Sequence, residues 1–188
     1  PLSTLLLLIT ENDEYDYPLM NEEEGKFTEI PVQGPWRVLW IGYDGKVHIK
    51  EISSLVSWTN WEEARYYSGE VEYQTVINVP KQGKWRKCTL NLGKLYESAE
   101  IYINDQFVGA IWTEPYTLDI SGKINPGKNI LKIKVRNLMA NRIIFLDRNK
   151  VKWRKFFFVN IRYRPFDASR WRLLPSGLAG PVNIILKE

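Results

Sequence analysis

Two short segments of this 188-residue chain combine aromatic rings with carboxylate, amide and guanidinium groups. The candidate ligand-binding residues are Trp112, Glu114 and Tyr116 in the first segment, and Asn137, Asn141 and Arg142 in the second. An indole or phenol ring can stack on the apolar face of a sugar ring, while the polar groups hydrogen-bond to its hydroxyls. The residue types therefore predict carbohydrate binding, and none of the six is assigned a catalytic role.

Each candidate also has a structural interpretation. Trp112 and Tyr116 could cap a hydrophobic core, with Pro115 fixing the loop between them. Asn137 and Asn141 could satisfy backbone groups of a turn instead of a ligand. The sequence leaves these alternatives open.

Other chemistry has little support in the sequence. A glycosidase needs two carboxyl groups in one cleft, but most of the 22 acidic residues lie on polar strand faces or in an acidic N-terminal stretch. One histidine, His48, and one cysteine, Cys88, cannot assemble the usual zinc ligand sets. We expect His48 to be a solvated strand residue and Cys88 a buried apolar one. No cofactor is predicted, and no compact acidic loop identifies a site for a structural Ca²⁺.

The elements that must position these residues are β-strands. Apolar and polar residues alternate over 69–79 and 131–136, which is the period of a half-buried strand. Turn signals such as Asp44-Gly45 and Asn104-Asp105 separate the runs at the spacing of a β-sandwich. In a sandwich the two candidate segments can lie at the same end. Only Leu55 to Ala64 is predicted to be helical or irregular.

Four segments in order resemble a known family. They are Tyr67-Ser-Gly-Glu-Val-Glu-Tyr73, Ala99-Glu-Ile-Tyr-Ile-Asn-Asp-Gln-Phe-Val-Gly109, Asn137-Leu-Met-Ala-Asn-Arg142 and Ser176-Gly-Leu-Ala-Gly-Pro-Val182. The chain resembles the galactose-binding-like, jelly-roll domain of glycoside hydrolases. It is most similar to the C-terminal domain of the family 106 α-L-rhamnosidases, and more distantly to the family 2 sugar-binding domain.

This resemblance implies an all-β, galactose-binding-like jelly-roll sandwich. It also implies a non-catalytic domain that binds carbohydrate or only braces the catalytic barrel domain of the same polypeptide. The parent would be a bacterial glycosidase, similar to an α-L-rhamnosidase, that acts on plant-type polysaccharide in the periplasm or at the cell surface. Gly177 and Gly180 would adopt positive φ or approach other backbone closely, where the last strand returns to the start of the domain.

The domain organisation is predicted from composition. Residues 1–10 are expected to be the last strand of a preceding domain, 11–33 an acidic linker, and 34–188 the β-sandwich. The apolar run from Leu2 to Ile9 is too short to cross a bilayer, which takes about 20 residues. No membrane association is predicted.

The net charge is +4, and residues 150–172 are strongly basic and aromatic. Such a stretch can bind nucleic acid or another polyanion, because cations neutralise phosphates and rings stack on bases. No nucleic-acid-binding module is recognisable in the sequence. A solvated edge or loop with inward-facing aromatics is therefore the favoured interpretation, and nucleic acid is not an expected partner.

Overall fold

The computed structural model describes residues 26–80, 85–153 and 166–188. Within these segments the chain forms twelve β-strands and one α-helix. The strands are β1 Phe27–Pro31, β2 Trp36–Ile41, β3 Val47–Ile52, β4 Glu70–Val79, β5 Lys87–Asn91, β6 Lys94–Tyr96, β7 Ser98–Ile103, β8 Gln106–Ile111, β9 Thr117–Asp119, β10 Gly127–Arg136, β11 Gly177–Gly180 and β12 Asn183–Lys187, and the helix is α1 Ala140–Arg148.

The larger sheet has six antiparallel strands in the order β3-β2-β4-β10-β7-β8. Its two long central strands, β4 and β10, pair over ten residues, from Glu70 opposite Arg136 to Val79 opposite Gly127. Alternate residues of both strands are buried and the intervening ones are more exposed. The predicted two-residue alternation is therefore confirmed.

A second sheet packs against the first across one hydrophobic core. Its strands follow the order β1-β12-β5-β9, and β6 forms a separate short pair with β11. Val38, Tyr73 and Ile133 of the larger sheet and Leu90 and Leu186 of the smaller one are fully buried in the same cluster. Each such side chain contributes about 1.5–3 kcal/mol of hydrophobic stabilisation. The two layers confirm the predicted all-β, galactose-binding-like jelly-roll sandwich.

Cys88 lies in this core on β5, as predicted. Burial, reinforced by the nearby carboxylate of Asp119, raises the pKa of its thiol to about 11. The thiol is therefore protonated at neutral pH and acts as a small apolar group.

The last strand closes the domain by returning to its beginning. β12 lies between β1 and β5, with Phe27 opposite Lys187 and Pro31 opposite Asn183. The predicted linker over 11–33 is therefore wrong at its C-terminal end, because Phe27–Pro31 form a paired strand. The rest of the linker up to residue 25 and the predicted remnant strand over 1–10 lie outside the described residues.

The structure also contains a helix that the sequence analysis missed. Helix α1 spans Ala140–Arg148, and its N-cap residue, Met139, makes no side-chain capping hydrogen bond. The apolar run Ile143-Ile-Phe-Leu146 contains two β-branched residues, which favour a strand over a helix. No N-cap signal precedes it, so the sequence did not predict a helix here. The segment predicted to be helical or irregular forms two 3₁₀ turns, Trp58–Asn60 and Glu62–Ala64.

Turns with left-handed backbone occur where the sequence indicated them. Asn104 and Asp105 have φ of 50° and 64° between β7 and β8. Gly177 and Gly180 have φ of 95° and 61°. A Cβ at Gly177 would lie 2.5 Å from the indole ring of Trp58, so the backbone there approaches the core too closely for any larger residue. No helix in the described segments is long and apolar enough to cross a membrane.

Candidate functional site

The two candidate segments begin at the same end of the six-stranded sheet. Ile111, the last residue of β8, pairs with Ala99 on β7, and Ala99 pairs with Val135 on β10. β8 and β10 therefore run in the same direction and end side by side with β7 between them. Trp112 and Asn137 follow these strand ends, which confirms that the two segments share one end of the sandwich.

The first segment presents an exposed ring. Trp112 is 72% exposed, and Glu114 is also exposed. Tyr116 instead packs against the core, and its backbone carbonyl accepts a hydrogen bond of 2.9 Å from the N–H of Leu92. Burial raises the pKa of Tyr116, and the nearby carboxylate of Glu114 adds to this. Tyr116 thus anchors the loop, whereas the indole of Trp112 is accessible to a ligand.

Asn137 connects three parts of the chain. Its side-chain oxygen accepts a 3.0 Å hydrogen bond from the N–H of Gly69. Its amide nitrogen donates to the carbonyl of Tyr67 at 3.1 Å and to the hydroxyl of Ser176 at 3.0 Å. Asn137 therefore satisfies backbone groups of other segments, in line with its structural interpretation.

Asn141 also satisfies backbone groups, and it is more deeply buried than Asn137. It is only 1% exposed. Its amide donates to the carbonyl of Leu174 at 2.8 Å and to the hydroxyl of Ser176 at 3.1 Å, and its oxygen accepts from the N–H of Leu174 at 2.9 Å. The buried amide therefore fastens α1 to the segment that leads into β11.

Arg142 extends from α1 over the turn between β2 and β3. Its guanidinium carbon lies 3.9 Å from the ring centroid of Tyr43 and 5.2 Å from that of Phe145. The hydroxyl of Tyr43 donates to the carbonyl of Ser68 at 2.9 Å and accepts from its N–H at 2.8 Å. A fixed phenol ring thus supports a half-buried cation by cation–π attraction.

Arg142 lines a cleft of about 360 Å³, which we call the Arg142 cleft. The rings of Trp40 and His48 form one side, stacked 5.0 Å apart and inclined by 8°. Tyr66 and Phe145, with ring centroids 5.3 Å apart, form another. The carboxylates of Asp44, Glu62 and Glu63 also line the cleft. His48 lies on a strand, as predicted, but it is half-buried instead of fully solvated, because its ring stacks on that of Trp40.

The Arg142 cleft and Trp112 lie at the same end of the sheet but not together. Trp40 on β2 is in line with Ile111 on β8, because the register runs from Trp40 through Val71, Val135 and Ala99. β2 and β8 are separated by four strand spacings, or roughly 19 Å. The six predicted residues therefore do not form one site. Trp112, Glu114 and Tyr116 follow β8, whereas Asn137 follows β10 and Asn141 and Arg142 lie on α1.

Several carboxylates on the outer face of the large sheet form ion pairs. Arg136 contacts Glu70 and Glu100, each at 2.6 Å. The hydrogen bonds from Arg136 and Tyr102 lower the pKa of Glu100. These charged groups crosslink neighbouring strands.

Two further predictions concern ions and polyanions. In the described part of the chain, no three His, Cys, Asp or Glu side chains are grouped as metal ligands. The basic stretch over 150–172 is described only at 150–153 and 166–172, so the polyanion-binding interpretation lies largely outside the described residues.

The residues around Arg142 could be predicted only in part. Tyr43 adjoins the recognised Asp44-Gly45 turn, but no sequence pattern connects it with the distant Arg142. His48 and Glu62 likewise carry no motif. They meet Arg142 because β3, the second 3₁₀ turn and α1 converge in the tertiary structure.

The chain is similar to domains of much larger enzymes. Residues 42–168 match the family model described as glycosyl hydrolase 2 galactose-binding domain-like. A putative β-glucuronidase from Formosa agariphila is 31% identical, and the match covers 82% of this chain and 15% of that protein.

Solved structures show the same architecture. The rhamnosidase from Novosphingobium sp. PP1Y superposes with a TM-score of 0.71 at 26% identity, covering 87% of this chain and 16% of the rhamnosidase. The β-D-glucuronidase from Dictyoglomus thermophilum superposes with a TM-score of 0.56 at 22% identity, covering 91% of this chain and 29% of that enzyme. The chain thus spans about a sixth of the length of the Formosa and Novosphingobium proteins.

Proposed function

Because the chain belongs to the glycosyl hydrolase 2 galactose-binding domain-like family, we propose that it is a non-catalytic accessory domain that contacts the carbohydrate substrate of a bacterial glycosidase. The observation that carries this proposal is the 72% exposure of Trp112 at the end of the sandwich. A large ring exposed to this extent contributes little to the core, so its apolar face is available for a partner.

The surroundings of Trp112 support a sugar as that partner. Ile111, the preceding residue, is buried at the end of β8 and fixes the base of the loop. The exposed carboxylate of Glu114 lies two residues further on and can accept hydrogen bonds from hydroxyl groups. A rigid ring beside an acceptor suits a ligand with one apolar face and a rim of hydroxyls.

The test is a titration of the 188-residue chain with L-rhamnose, D-galactose and rhamnose-containing oligosaccharides, followed by tryptophan fluorescence and calorimetry. We expect a saturable calorimetric binding component that is lost in Trp112→Ala. Trp171→Ala is the matched control, because Trp171 is also an exposed tryptophan and belongs to another segment. Equal affinity of wild type and Trp112→Ala would refute the role of Trp112.

A second candidate function is bracing of the catalytic barrel domain. Ile41, Val47 and Ile49 are each more than half exposed on the outer face of the β2–β3 hairpin, at an edge of the large sheet. Contiguous exposed apolar side chains favour a protein contact. Ile49→Lys should then leave the unfolding temperature of the 188-residue chain nearly unchanged but lower that of the parent enzyme. Equal small effects in both would argue against bracing.

For the parent enzyme we propose an α-L-rhamnosidase-like activity on plant-type polysaccharide, in the periplasm or at the cell surface. The similarity to the Novosphingobium rhamnosidase supports this, and the similarity to the Formosa protein supports β-glucuronidase activity as the competing outcome. The full-length enzyme should be assayed with chromogenic α-L-rhamnosides and β-D-glucuronides, and its location measured by cell fractionation. Turnover of the glucuronide alone would overturn the rhamnosidase proposal.

A further inference from the structure

We propose that the Arg142 cleft is a second carbohydrate site, which binds one neutral sugar ring independently of Trp112. Its volume of about 360 Å³ is within the range of small-molecule pockets. The inference rests on the proposed function only for the class of ligand. The location is argued from the cleft itself.

The guanidinium of Arg142 has N–H donors that no group in the described residues uses. A guanidinium group carries five N–H donors. Within residues 26–80, 85–153 and 166–188, that of Arg142 makes ring contacts with Tyr43 and Phe145 but no hydrogen bond or ion pair. Stacking fixes the plane of the group while its N–H edge remains available in the cleft. Hydroxyl oxygens of a ligand are suitable acceptors for these donors.

Glu62 supplies the cleft with a hydrogen-bond acceptor. In the described part of the chain, Glu62 is exposed and has no ion-pair or hydrogen-bond partner. The other two carboxylates are engaged: Glu63 pairs with Lys50 at 2.6 Å, and Asp44 pairs with Lys46 at 3.3 Å. Glu62 therefore remains to accept hydrogen bonds from ligand hydroxyls.

The balance of charges around the cleft favours a neutral ligand. Among the described residues neither the cation of Arg142 nor the anion of Glu62 has an ion-pair partner, so the two charges compensate each other, and the remaining two carboxylates are each paired with a lysine. An anionic ligand such as a uronate would gain from the guanidinium but be repelled by Glu62. A neutral ring can use both groups and also lie against the aromatic side chains of the cleft.

The test uses the fact that His48 is the one histidine of the chain. Its imidazole lines the cleft, so its proton NMR signals report on this site and not on Trp112, which follows β8, five strand spacings or roughly 24 Å from β3. The probes are methyl α-L-rhamnoside and methyl β-D-galactoside as neutral sugars, with D-glucuronate as the anionic comparison. Titration to about 0.1 M detects dissociation constants in the millimolar range.

We expect saturable shifts of the His48 signals with a neutral sugar, in the wild type and equally in Trp112→Ala. Glu62→Ala should weaken this binding at least tenfold, and Arg142→Lys should do the same by removing the planar fork. Glu51→Ala is the matched control, because Glu51 is an exposed glutamate on the opposite face of β3. Glu62→Ala replaces an exposed side chain that has no hydrogen-bond or ion-pair partner within the described segments, so the variant should fold normally.

The outcomes separate this inference from the proposed function. No shift of His48 with either neutral sugar, a shift with glucuronate alone, or unchanged affinity in Glu62→Ala would overturn the cleft proposal. Loss of a calorimetric binding component in Trp112→Ala, with the His48 titration unchanged, would support both proposals. If a neutral sugar shifts the His48 signals but Trp112→Ala binds sugar as tightly as the wild type in every assay, the cleft proposal is supported and the role of Trp112 is refuted.

Discussion

Replacing Asn141 with alanine should destabilise the domain strongly, although the residue carries no charge and was a candidate for ligand contact. The substitution removes three hydrogen bonds, two to Leu174 and one to Ser176. At about 1 kcal/mol for each bond, the loss is about 3 kcal/mol. For a domain of this size, about 3 kcal/mol corresponds to a decrease in Tm of about 6–12 °C.

The assay is equilibrium unfolding in urea, followed by circular dichroism and tryptophan fluorescence. Asn78→Ala is the control, because Asn78 is an exposed asparagine on the outward side of β4, and it should change the free energy of unfolding by less than about 0.5 kcal/mol. A loss below about 1 kcal/mol in Asn141→Ala would refute the argument that this amide fastens α1 to the approach of β11.

Asn141→Asp extends the same test to pH. The substitution keeps an acceptor for the N–H of Leu174 but places a carboxyl group where the native amide is 1% exposed. Burial should raise the pKa of this carboxyl above its value of about 3.9 in the unfolded chain. The penalty is therefore absent below the unfolded pKa and grows as the pH rises toward the folded value. Asn141→Asp should be less stable than Asn141→Ala at pH 7 and recover near pH 4, and a pH-independent difference would contradict this reasoning.

The remaining predictions concern the backbone, the thiol and the ion pairs. Gly177→Ala should cost at least about 3 kcal/mol in urea titrations, because its φ is 95° and the new methyl would meet an indole ring. Gly122→Ala, at φ 70° with open space, should cost only about 1–2 kcal/mol, and equal losses would refute the steric contribution. Cys88 should react with a thiol reagent at pH 8 only after unfolding, because it is buried with a pKa of about 11, and rapid labelling of the native chain would disprove this. Arg136→Met should cost at most about 1 kcal/mol at pH 7, since its pairs are partly exposed. Arg136 lowers the pKa of Glu100, so the stabilisation from this ion pair is present above the ordinary pKa of 4.5 and is lost as the pH falls through the pKa of the folded state. Parallel stability curves of Arg136→Met and wild type below pH 5 would contradict this.

Much of the fold could be predicted because local physical rules and tertiary packing agree. The alternation over β4 and β10 is the direct consequence of a strand with one buried face. Asn104 and Asp105 adopt the left-handed backbone that a tight hairpin requires. Helix α1 was missed because its Ile143-Ile144 pair favours a strand locally, whereas its contacts with Tyr43, Tyr66 and the Leu174 segment stabilise a helix.

The candidate site could be predicted less well. Polar residues after a strand end look alike in the sequence, whether they bind a ligand or the backbone. Asn137 and Asn141 contact backbone groups and Ser176, whereas Trp112 is exposed, and only the packing around each one makes this difference.

The chain alone specifies the class of fold, the burial of Cys88, the closure by the last strand and the family, because each depends on periodicity or on ordered motifs that are local in the chain. Contacts between distant side chains arise only from the three-dimensional packing. It brought Tyr43, His48 and Glu62 to Arg142, and it placed Trp112 four strands away. The physical reason is that such a cleft depends on strand order and on the packing of α1, and both are set by the burial of the whole core.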